Sequence, residues 1–338
     1  MTSDYAADVA ESARAVFERE IPRDETLQRL RSEGLSRGVW KAAAEAGWFR
    51  LLTAEAAGGL DAGPMELAAL FREIGRYLPS GPFAEAIVVA GLLRSSADLG
   101  SDESVITLAV LNGSIGSNGL TGTVCCVEHA EAADLVLLRV DSAADSALVA
   151  VDARSPRIRT QPLASFDLVG RPCRLVLENA PFEVVARGER LRLLLERAGA
   201  LIEVARVATL EGIGRELLEM SVHYAKDRIQ FDRPIGSFQA VQHRLAEMAV
   251  TVAGVESAVQ ALISAAESGA AGESSALCAL AAEMTREVAY NTLQVHGGIG
   301  FTDEHRLHAY LKRALRLQAI AGGSDPLAEL GARLLESS

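Results

Sequence analysis

Residues 294–301 read QVHGGIGF and join two segments in which apolar residues recur at helical spacing. The glycines lack a Cβ atom, so the backbone can bend sharply there or come close to a ligand. Alone, such a stretch would be an ordinary turn between helices. A second unusual stretch lies upstream, however, and residues 228–248 read RIQFDRPIGSFQAVQHRLAEM. The order and separation of the two stretches are a stronger signal than either stretch alone.

Together the two stretches resemble the C-terminal domain of the acyl-CoA dehydrogenase family, flavoenzymes that desaturate acyl-CoA thioesters. The upstream stretch resembles the family segment Arg-x-x-Phe-Gly-x-x-Ile-x-x-Phe-Gln, and the downstream stretch resembles Gln-x-x-Gly-Gly-x-Gly-Phe. Near the N-terminus, GWF at 47–49 and EAAGG at 55–59 follow the order of the family's helical domain. The resemblance implies an α+β, mostly α, fold. It would comprise an N-terminal helical domain, a small middle β-domain and a C-terminal four-helix bundle.

The apolar pattern gives domain boundaries that agree with this expectation. Residues 1–103 read as helices, residues 104–188 as short strands, and residues 189–338 as a helical bundle. Ser36 is placed to cap a helix that ends at Gly47, and a second helix is predicted over 65–77. The pattern predicts strands at 105–111, 124–127, 135–140, 147–151 and 173–177. Four apolar stripes predict the bundle helices, and the third stripe carries Leu277, Leu280, Met284, Val288 and Val295.

Composition narrows the possible partners. The net charge is −12 over 338 residues without a basic cluster, so we expect no nucleic-acid partner. The N-terminus lacks a signal peptide and no apolar stretch looks long enough to span a bilayer, which predicts a soluble, cytoplasmic protein without membrane contact. The four cysteines lack metal-site spacing, so we expect buried thiols and no metal site.

In the family, FAD lies between two subunits, and the C-terminal domain of one chain holds the pyrophosphate and adenosine of the other chain's cofactor. An arginine suits the pyrophosphate, aromatic rings suit the adenosine, amides can bond ribose or base, and glycines allow close approach. The resemblance assigns this half-site to Arg228, Phe231, Phe238, Gln239, Gln294, Gly297 and Gly298.

Two other parts of the family's site are missing from the sequence. Residues 112–118 and 124–126 replace the motifs that reach the flavin ring, so the resemblance places the flavin outside this chain's middle domain. Ala321 stands where most members have the catalytic Glu, and alanine cannot transfer a proton. Glu203 and Asp325 are relocated candidates. A solvated helix residue at Glu203 and a helix cap at Ser324-Asp325-Pro326 are the favoured interpretations.

This combination resembles the short subunits of heteromeric acyl-CoA dehydrogenases from bacteria that degrade steroid side chains. The resemblance implies a catalytic partner subunit in an α2β2 heterotetramer, an FAD site completed in trans, and an acyl-CoA bound mainly by the partner. Two alternatives stay open. One is a self-sufficient homo-oligomeric dehydrogenase that uses Glu203 or Asp325 as the base, and the other is a flavin-free scaffold or regulatory protein with the same fold.

Overall fold

The computed structural model describes residues 2–22, 25–112, 119–141, 146–269, 274–302, 304–322 and 325–329. Residues 113–118, in the stretch that replaces a flavin-reaching motif, and the predicted cap Ser324 lie outside these ranges. The chain forms two compact units. The helical unit comprises Met1–Arg29, Pro64–Leu78 and Glu203–Ser338, and the mixed unit comprises Leu30–Gly63 and Pro79–Ile202. The division into three successive domains stays a prediction.

Helices dominate the described residues, and all strands of the two larger sheets lie between Ile106 and Arg187. The α+β, mostly α, prediction is therefore confirmed. A π-helical segment, Glu85–Ala90, runs directly into the short α-helix Gly91–Leu93. The α-helices are α1 (Thr2–Glu20), α2 (Thr26–Ser32), α3 (Arg37–Glu45), α4 (Pro64–Tyr77), α5 (Gly91–Leu93), α6 (Gly188–Asp227), α7 (Gln239–Ser268), α8 (Ser274–His296) and α9 (Leu307–Ile320).

Within the helical unit, α6 and α8 run in the same direction and α7 runs against them. The hydroxyl oxygen of Thr285 lies 3.4 Å from the carbonyl oxygen of Leu210, and two helical turns further on the hydroxyl oxygen of Thr292 lies 3.4 Å from the carbonyl oxygen of Leu217. The start of α7 meets the end of α8, where Arg244 Nη1 donates to Asn291 Oδ1 at 2.7 Å. The last turns of α6 and α8 and the first turn of α7 therefore share one end of the bundle.

Helices α4 and α6 approach each other at backbone distance. A Cβ atom added to Gly75 would lie 2.1 Å from the carbonyl oxygen of Thr209, and one added to Gly212 would lie 2.0 Å from that of Arg72. Both contacts involve rigid helical backbone. An ion pair flanks the crossing, because Arg72 Nε lies 2.8 Å from a carboxylate oxygen of the fully buried Glu211. Only glycine permits this separation between the two helices.

The buried face of α8 differs from the predicted apolar stripe. Leu280 is exposed, and Leu277, Met284 and Val295 are only half-buried. Small side chains and threonines occupy the buried face instead, and their size lets α8 pack closely against its neighbours. The hydroxyls of the buried threonines bond to carbonyl oxygens within α8, so they are satisfied. The buried residues of α8 are Ala276, Cys278, Ala279, Ala281, Ala282, Thr285, Val288, Ala289, Thr292, Leu293 and His296.

The mixed unit contains two facing sheets. One sheet has the strand order β1-β3-β4-β7, with β1 and β3 parallel, and the other has the antiparallel order β2-β6-β5. Side chains from both sheets form one core, which includes Leu111, Val136, Val149 and Leu175. The strands are β1 (Ile106–Asn112), β2 (Leu120–Glu128), β3 (Leu135–Asp141), β4 (Ser146–Asp152), β5 (Ile158–Pro162), β6 (Pro172–Ala180) and β7 (Glu183–Arg187).

Three further sequence expectations need correction. Ser36 does precede α3, but its hydroxyl makes no capping bond and instead accepts a hydrogen bond from the backbone N–H of Ser80 at 3.0 Å. Cys125 and Cys126 are exposed, because a bulge in β2 turns both outward, whereas Cys173 and Cys278 are buried as expected.

The expectation that no apolar stretch could span a bilayer was also wrong. By length and composition, α7 among the described helices could cross a membrane, with a mean hydropathy of 1.5 over its most apolar window. A core helix of a bundle meets the same criterion, because its buried face is apolar. Met248, Val252, Val255 and Val259 of α7 are buried in the helical unit.

Candidate cofactor half-site

The segment after α6 forms a small hairpin that the sequence did not predict. Strands β8 (Ile229–Gln230) and β9 (Arg233–Pro234) pair antiparallel around a two-residue loop. Both loop residues, Phe231 and Asp232, have positive φ angles of 53° and 61°. Such angles fit a two-residue hairpin loop of the mirror-image turn class. The loop leaves the Phe231 side chain 86% exposed, which is a costly position for an aromatic ring without a covering partner.

An aromatic and cationic cluster follows the hairpin. The ring of Phe238, just before α7, meets Phe231 edge to face with centroids 6.1 Å apart. The Arg233 guanidinium lies 4.1 Å above the Phe238 ring, within the range of a cation–π contact. Arg233 was not predicted as a site residue, because only its position in the hairpin indicates this contact. The structure thus brings the two predicted aromatic residues together beside an additional cation.

The polar residues of the predicted half-site point away from the rest of the chain. Arg228, Gln239 and Gln294 are all exposed. Within the ranges that the structure describes, their side chains form no hydrogen bond and no ion pair. By contrast, the neighbouring Gln242 donates from Nε2 to the carbonyl of Gly236 at 2.9 Å. The predicted polar residues are therefore available to an external partner, whereas Gln242 is used within the fold.

The predicted glycine turn is present, and its three glycines have different roles. It forms a 3-10 helix over Gly297–Phe301. Gly297 has a φ angle of +59°, which other residues rarely adopt. Gly300 is buried, and a Cβ atom there would lie 3.0 Å from the Cβ of His296. Gly298 has neither restriction, because its φ is not in the left-handed region and no described atom lies within 4 Å of the added Cβ position.

The two predicted segments lie at the same end of the helical bundle. The ring of Tyr224, one turn before Arg228, stacks on His296 with centroids 4.5 Å apart. His296 immediately precedes Gly297, and the Arg244–Asn291 bond brings the first turns of α7 to the last turns of α8. The exposed residues predicted from two separate stretches therefore belong to one surface of the helical unit.

A cavity of about 410 Å³ opens at this end of the bundle. The carboxylate of Glu216 is almost fully buried. It forms an ion pair with the guanidinium of Arg306 at 3.1 Å and lies 3.7 Å from that of Arg76. The cavity is lined by Glu216, Glu219, Met220, His223, Tyr224, Asp227, His296, His305 and Arg306. The two guanidinium groups compensate the charge of the buried carboxylate. The cavity wall therefore contains a charge-balanced cluster beside the rings of Tyr224, His296 and His305.

Two of the histidines in the cavity are held in the neutral state. Burial lowers the pKa of His305 to about 4, and the nearby His296, Arg306 and His308 further disfavour its protonation. Burial also lowers the pKa of His296. Nδ1 of His296 lies 2.8 Å from the carbonyl oxygen of Thr292. In the neutral ring this contact makes Nδ1–H the donor and leaves Nε2 as an acceptor.

The candidate bases lie apart from this cavity. Ala321, at the position of the usual Glu, is a buried residue at the end of α9 and offers only a methyl group. Glu203 is half-buried on α6, and its negative charge contributes to the raised pKa of Cys278 on α8. Asp325 is exposed and is the first described residue of a short helix at 325–329. Neither carboxylate lines the cavity or contacts the half-site residues.

Comparisons with known proteins agree with this architecture. The model of the acyl-CoA dehydrogenase N-terminal domain matches residues 3–104, and that of the C-terminal domain matches residues 190–335. Acyl-CoA dehydrogenase FadE27 of Mycobacterium tuberculosis is 30% identical over 338 residues, which cover 89% of each chain.

Two solved structures share the fold over nearly the whole chain. A chain of the ChsE4–ChsE5 complex from Mycobacterium tuberculosis superposes with a TM-score of 0.80 at 27% identity, covering 99% of this chain and 98% of that one. A chain of a Tcur3481–Tcur3483 steroid ACAD variant gives a TM-score of 0.84 at 23% identity, covering 100% and 99%. With two family models and a relative that matches along most of its length, this chain belongs to the acyl-CoA dehydrogenase family.

Proposed function

We propose that this chain is the subunit of a heteromeric FAD-dependent acyl-CoA dehydrogenase that lacks the catalytic base and completes the partner's FAD site in trans. One observation carries the proposal. The polar half-site residues Arg228, Gln239 and Gln294 project from one end of the helical unit without a side-chain partner in the described residues. Because these exposed residues also stand at the positions that the family resemblance assigns to the FAD half-site, we infer that they serve a ligand shared with another chain.

The chemistry of these residues fits the outer half of FAD. The planar guanidinium of Arg228 can donate two parallel hydrogen bonds to a pyrophosphate. Phe231 offers an uncovered aromatic face, and two amides can bond ribose hydroxyls or base nitrogens. Gly298 leaves room where a side chain would otherwise stand, although nothing in the fold requires glycine there. When bound, FAD would accept the hydride removed from the acyl-CoA.

The position of the base supports a partner-dependent enzyme. Removal of the α-proton needs a carboxylate near the thioester, and the usual position carries the methyl group of Ala321. Glu203 faces the α8 side of the helical unit, and Asp325 lies on the surface. We therefore propose that the partner subunit supplies the base and most of the acyl-CoA pocket.

The related structures guide the choice of partner and substrate. The ChsE4–ChsE5 structure is a complex of two proteins, and the Tcur3481–Tcur3483 pair is described as a steroid ACAD. By analogy, we propose an α2β2 assembly with a catalytic acyl-CoA dehydrogenase subunit, acting on a steroid side-chain CoA thioester. In the complex, each copy of this chain would hold the adenosine end of a flavin whose ring lies in the partner.

The test is to express the chain alone and together with a catalytic subunit encoded beside it, and to measure flavin absorbance and mass. We expect flavin only in the heteromer. In that complex, Arg228→Ala should weaken FAD binding by about 1.5–3 kcal/mol, which is roughly 10- to 150-fold in Kd. Arg197→Ala is the control, because Arg197 is an exposed arginine near the start of α6, in the mixed unit and away from the half-site, with no side-chain partner among the described residues.

Each outcome has a clear meaning. If Arg228→Ala retains FAD as well as Arg197→Ala does, Arg228 is not part of the site. If the chain purified alone already binds FAD and oxidises an acyl-CoA, the trans arrangement is wrong and Glu203 and Asp325 become the residues to substitute. A flavin-free complex would instead favour a scaffold role.

A further inference from the structure

The two adjacent cysteines of β2 occupy an unusual position in the mixed unit. Val124 pairs with Leu175 and Val127 pairs with Cys173 on β6, so Cys125 and Cys126 together face the single residue between those partners. This arrangement, two residues opposite one, defines a β-bulge. Cys126 has a φ angle of +62°, which a residue with a side chain seldom adopts.

The bulge brings both thiols to the same face of the strand. In a regular strand, neighbouring side chains point to opposite faces, so one of two adjacent cysteines would be buried. Here Val124 and Val127 are both buried, whereas Cys125 and Cys126 between them are both exposed. Among the described strands, β2 pairs only with β6, so it is an edge strand that solvent can reach.

A cation lies across the strand from the two thiols. Arg174 is the β6 residue opposite the bulge, between Cys173 and Leu175, and it is exposed. Its side chain forms neither a hydrogen bond nor an ion pair with any residue that the structure describes. An unneutralised guanidinium at this position attracts small anionic reagents to the bulge.

The other two cysteines lack this accessibility. Burial raises the pKa of the Cys173 thiol, and burial raises that of Cys278 to about 12. A buried thiol that holds its proton is a poor nucleophile. Chemistry with small reagents is therefore expected at Cys125 and Cys126 and not at the other two positions.

We propose that Cys125 and Cys126 form a reversible modification site that undergoes thiol–disulfide exchange with an anionic low-molecular-weight disulfide. In the first step, one cysteine thiolate attacks the reagent's disulfide, forms a mixed disulfide with one half and releases the other half as a thiolate. In the second step, the neighbouring cysteine attacks the protein sulfur of the mixed disulfide and releases the second half. The protein pair loses two protons and two electrons, and the reagent takes them up and is reduced to two thiols.

The geometry of a disulfide between Cys125 and Cys126 would make it easy to reduce. Adjacent Cα atoms are about 3.8 Å apart, whereas disulfide-bonded cysteines usually have Cα atoms about 4.4–6.8 Å apart. A disulfide between neighbours is therefore strained, and strained, exposed disulfides are the readily reduced ones. Cys125, Cys126 and Arg174 lie in the mixed unit, whereas the residues of the proposed FAD half-site lie in the helical unit.

The experiment treats the full-length chain with glutathione disulfide and measures its intact mass, followed by peptide mapping. The wild-type chain should lose the mass of two hydrogens, located at residues 125–126, and excess reduced thiol should reverse the change. Cys125→Ser and Cys126→Ser should each retain one glutathione, because neither has a neighbouring thiol to displace it. Cys278→Ser is the matched control and should behave as the wild type.

Three results would overturn the proposal: an unmodified wild-type chain, a stable glutathione adduct on the wild type, or a disulfide linking two chains. These readouts on the wild type decide the question even if a serine variant folds poorly. Arg174→Ala should slow the reaction with glutathione disulfide more than that with neutral hydroxyethyl disulfide. If Arg174→Ala slows the reactions with both disulfides equally, Arg174 is not part of the site.

Discussion

The crossing of α4 and α6 allows a quantitative prediction. Replacing Gly212 with Ala places a Cβ atom 2.0 Å from the carbonyl oxygen of Arg72 on α4. Carbon and oxygen atoms cannot approach so closely, and the obstructing atom belongs to helical backbone that cannot rotate away. The helices must separate locally, which also disturbs the ion pair between Arg72 and the buried Glu211.

The expected magnitude combines two opposing effects. Overpacking of a close contact costs about 1–3 kcal/mol and sometimes more. Alanine recovers roughly 1 kcal/mol of helix propensity relative to glycine. Because the overlap involves backbone on both sides, we take the upper end of the cost and expect Gly212→Ala to lower the free energy of unfolding by about 2 kcal/mol.

A matched control lies in the same helix. Gly199 of α6 is exposed, and no described atom lies within 4 Å of its added Cβ position. Gly199→Ala should therefore raise the free energy of unfolding by roughly 0.5–1 kcal/mol through propensity alone. Gly75→Ala, on the opposite helix, should destabilise as Gly212→Ala does, and the double variant should cost less than the sum of the single variants because the helices have already separated.

The assay is urea unfolding followed by far-ultraviolet circular dichroism, which reports the helices. The protein's two tryptophans, Trp40 and Trp48, both lie in the mixed unit, so tryptophan fluorescence provides a second probe for that unit. A Gly212→Ala variant as stable as the wild type, or stabilised like Gly199→Ala, would refute the close approach of the two helices.

Further predictions concern charge and backbone geometry in the helical unit. Burial lowers the pKa of His305 from its ordinary value of 6.5 to about 4, so the unfolded state binds more protons as the pH falls between these values, and stability should decrease. In urea unfolding, His305→Gln should flatten that dependence more than His223→Gln, an exposed control, and equal slopes would contradict the assignment. Glu211→Gln should lower the free energy of unfolding by roughly 3 kcal/mol, the lower end of the range for breaking a buried ion pair, because Arg72 and Arg215 keep solvent access. The control Glu196→Gln, on the surface, should not change the urea midpoint. Gly297→Ala should cost roughly 1–2 kcal/mol in urea unfolding because its φ is +59°. Gly298→Ala should stay within about 0.5 kcal/mol of the wild type in the same measurement.

The sequence predicted the bundle well where large apolar residues recur. Leu210, Ile213 and Leu217 of the first stripe are fully buried on α6. Prediction failed on α8, because a close helix contact selects small residues. Hydropathy therefore ranked the exposed Leu280 above the buried alanines and threonines, although the helix itself was predicted correctly.

Five of the seven main strands were predicted, and the two missed strands have physical explanations. Strand β5 ends in Pro162 and buries only Ile158, so its short segment lacks the alternation of a half-buried strand. Strand β7 is five residues long and begins with charged Glu183. The exposed cysteines escaped prediction because a bulge depends on the register between two strands, which a single stretch of sequence does not contain.

The half-site residues themselves came from the family resemblance, and their functional assignment stays a prediction. The structure adds that Arg228, Gln239 and Gln294 are exposed and that Phe231 stands in a hairpin loop. The sequence did not predict this loop, because positive φ angles at Phe231 and Asp232 have no glycine or asparagine to indicate them. It also missed Arg233, whose contact with Phe238 exists only once the hairpin has formed.

The two compact units are built from different parts of the chain, and this has a consequence for protein synthesis. Every residue of the mixed unit has been translated once residue 202 is added, whereas the helical unit also needs residues 203–338. Helices α1 and α4 therefore leave the ribosome long before most of their unit exists. Phe17 of α1 stacks on Tyr77 of α4 with ring centroids 5.2 Å apart, so the two early helices can cover part of each other, but the rest of their apolar surface stays uncovered in the nascent chain during that interval. Aggregation and chaperone capture during translation should thus concentrate on these two early helices.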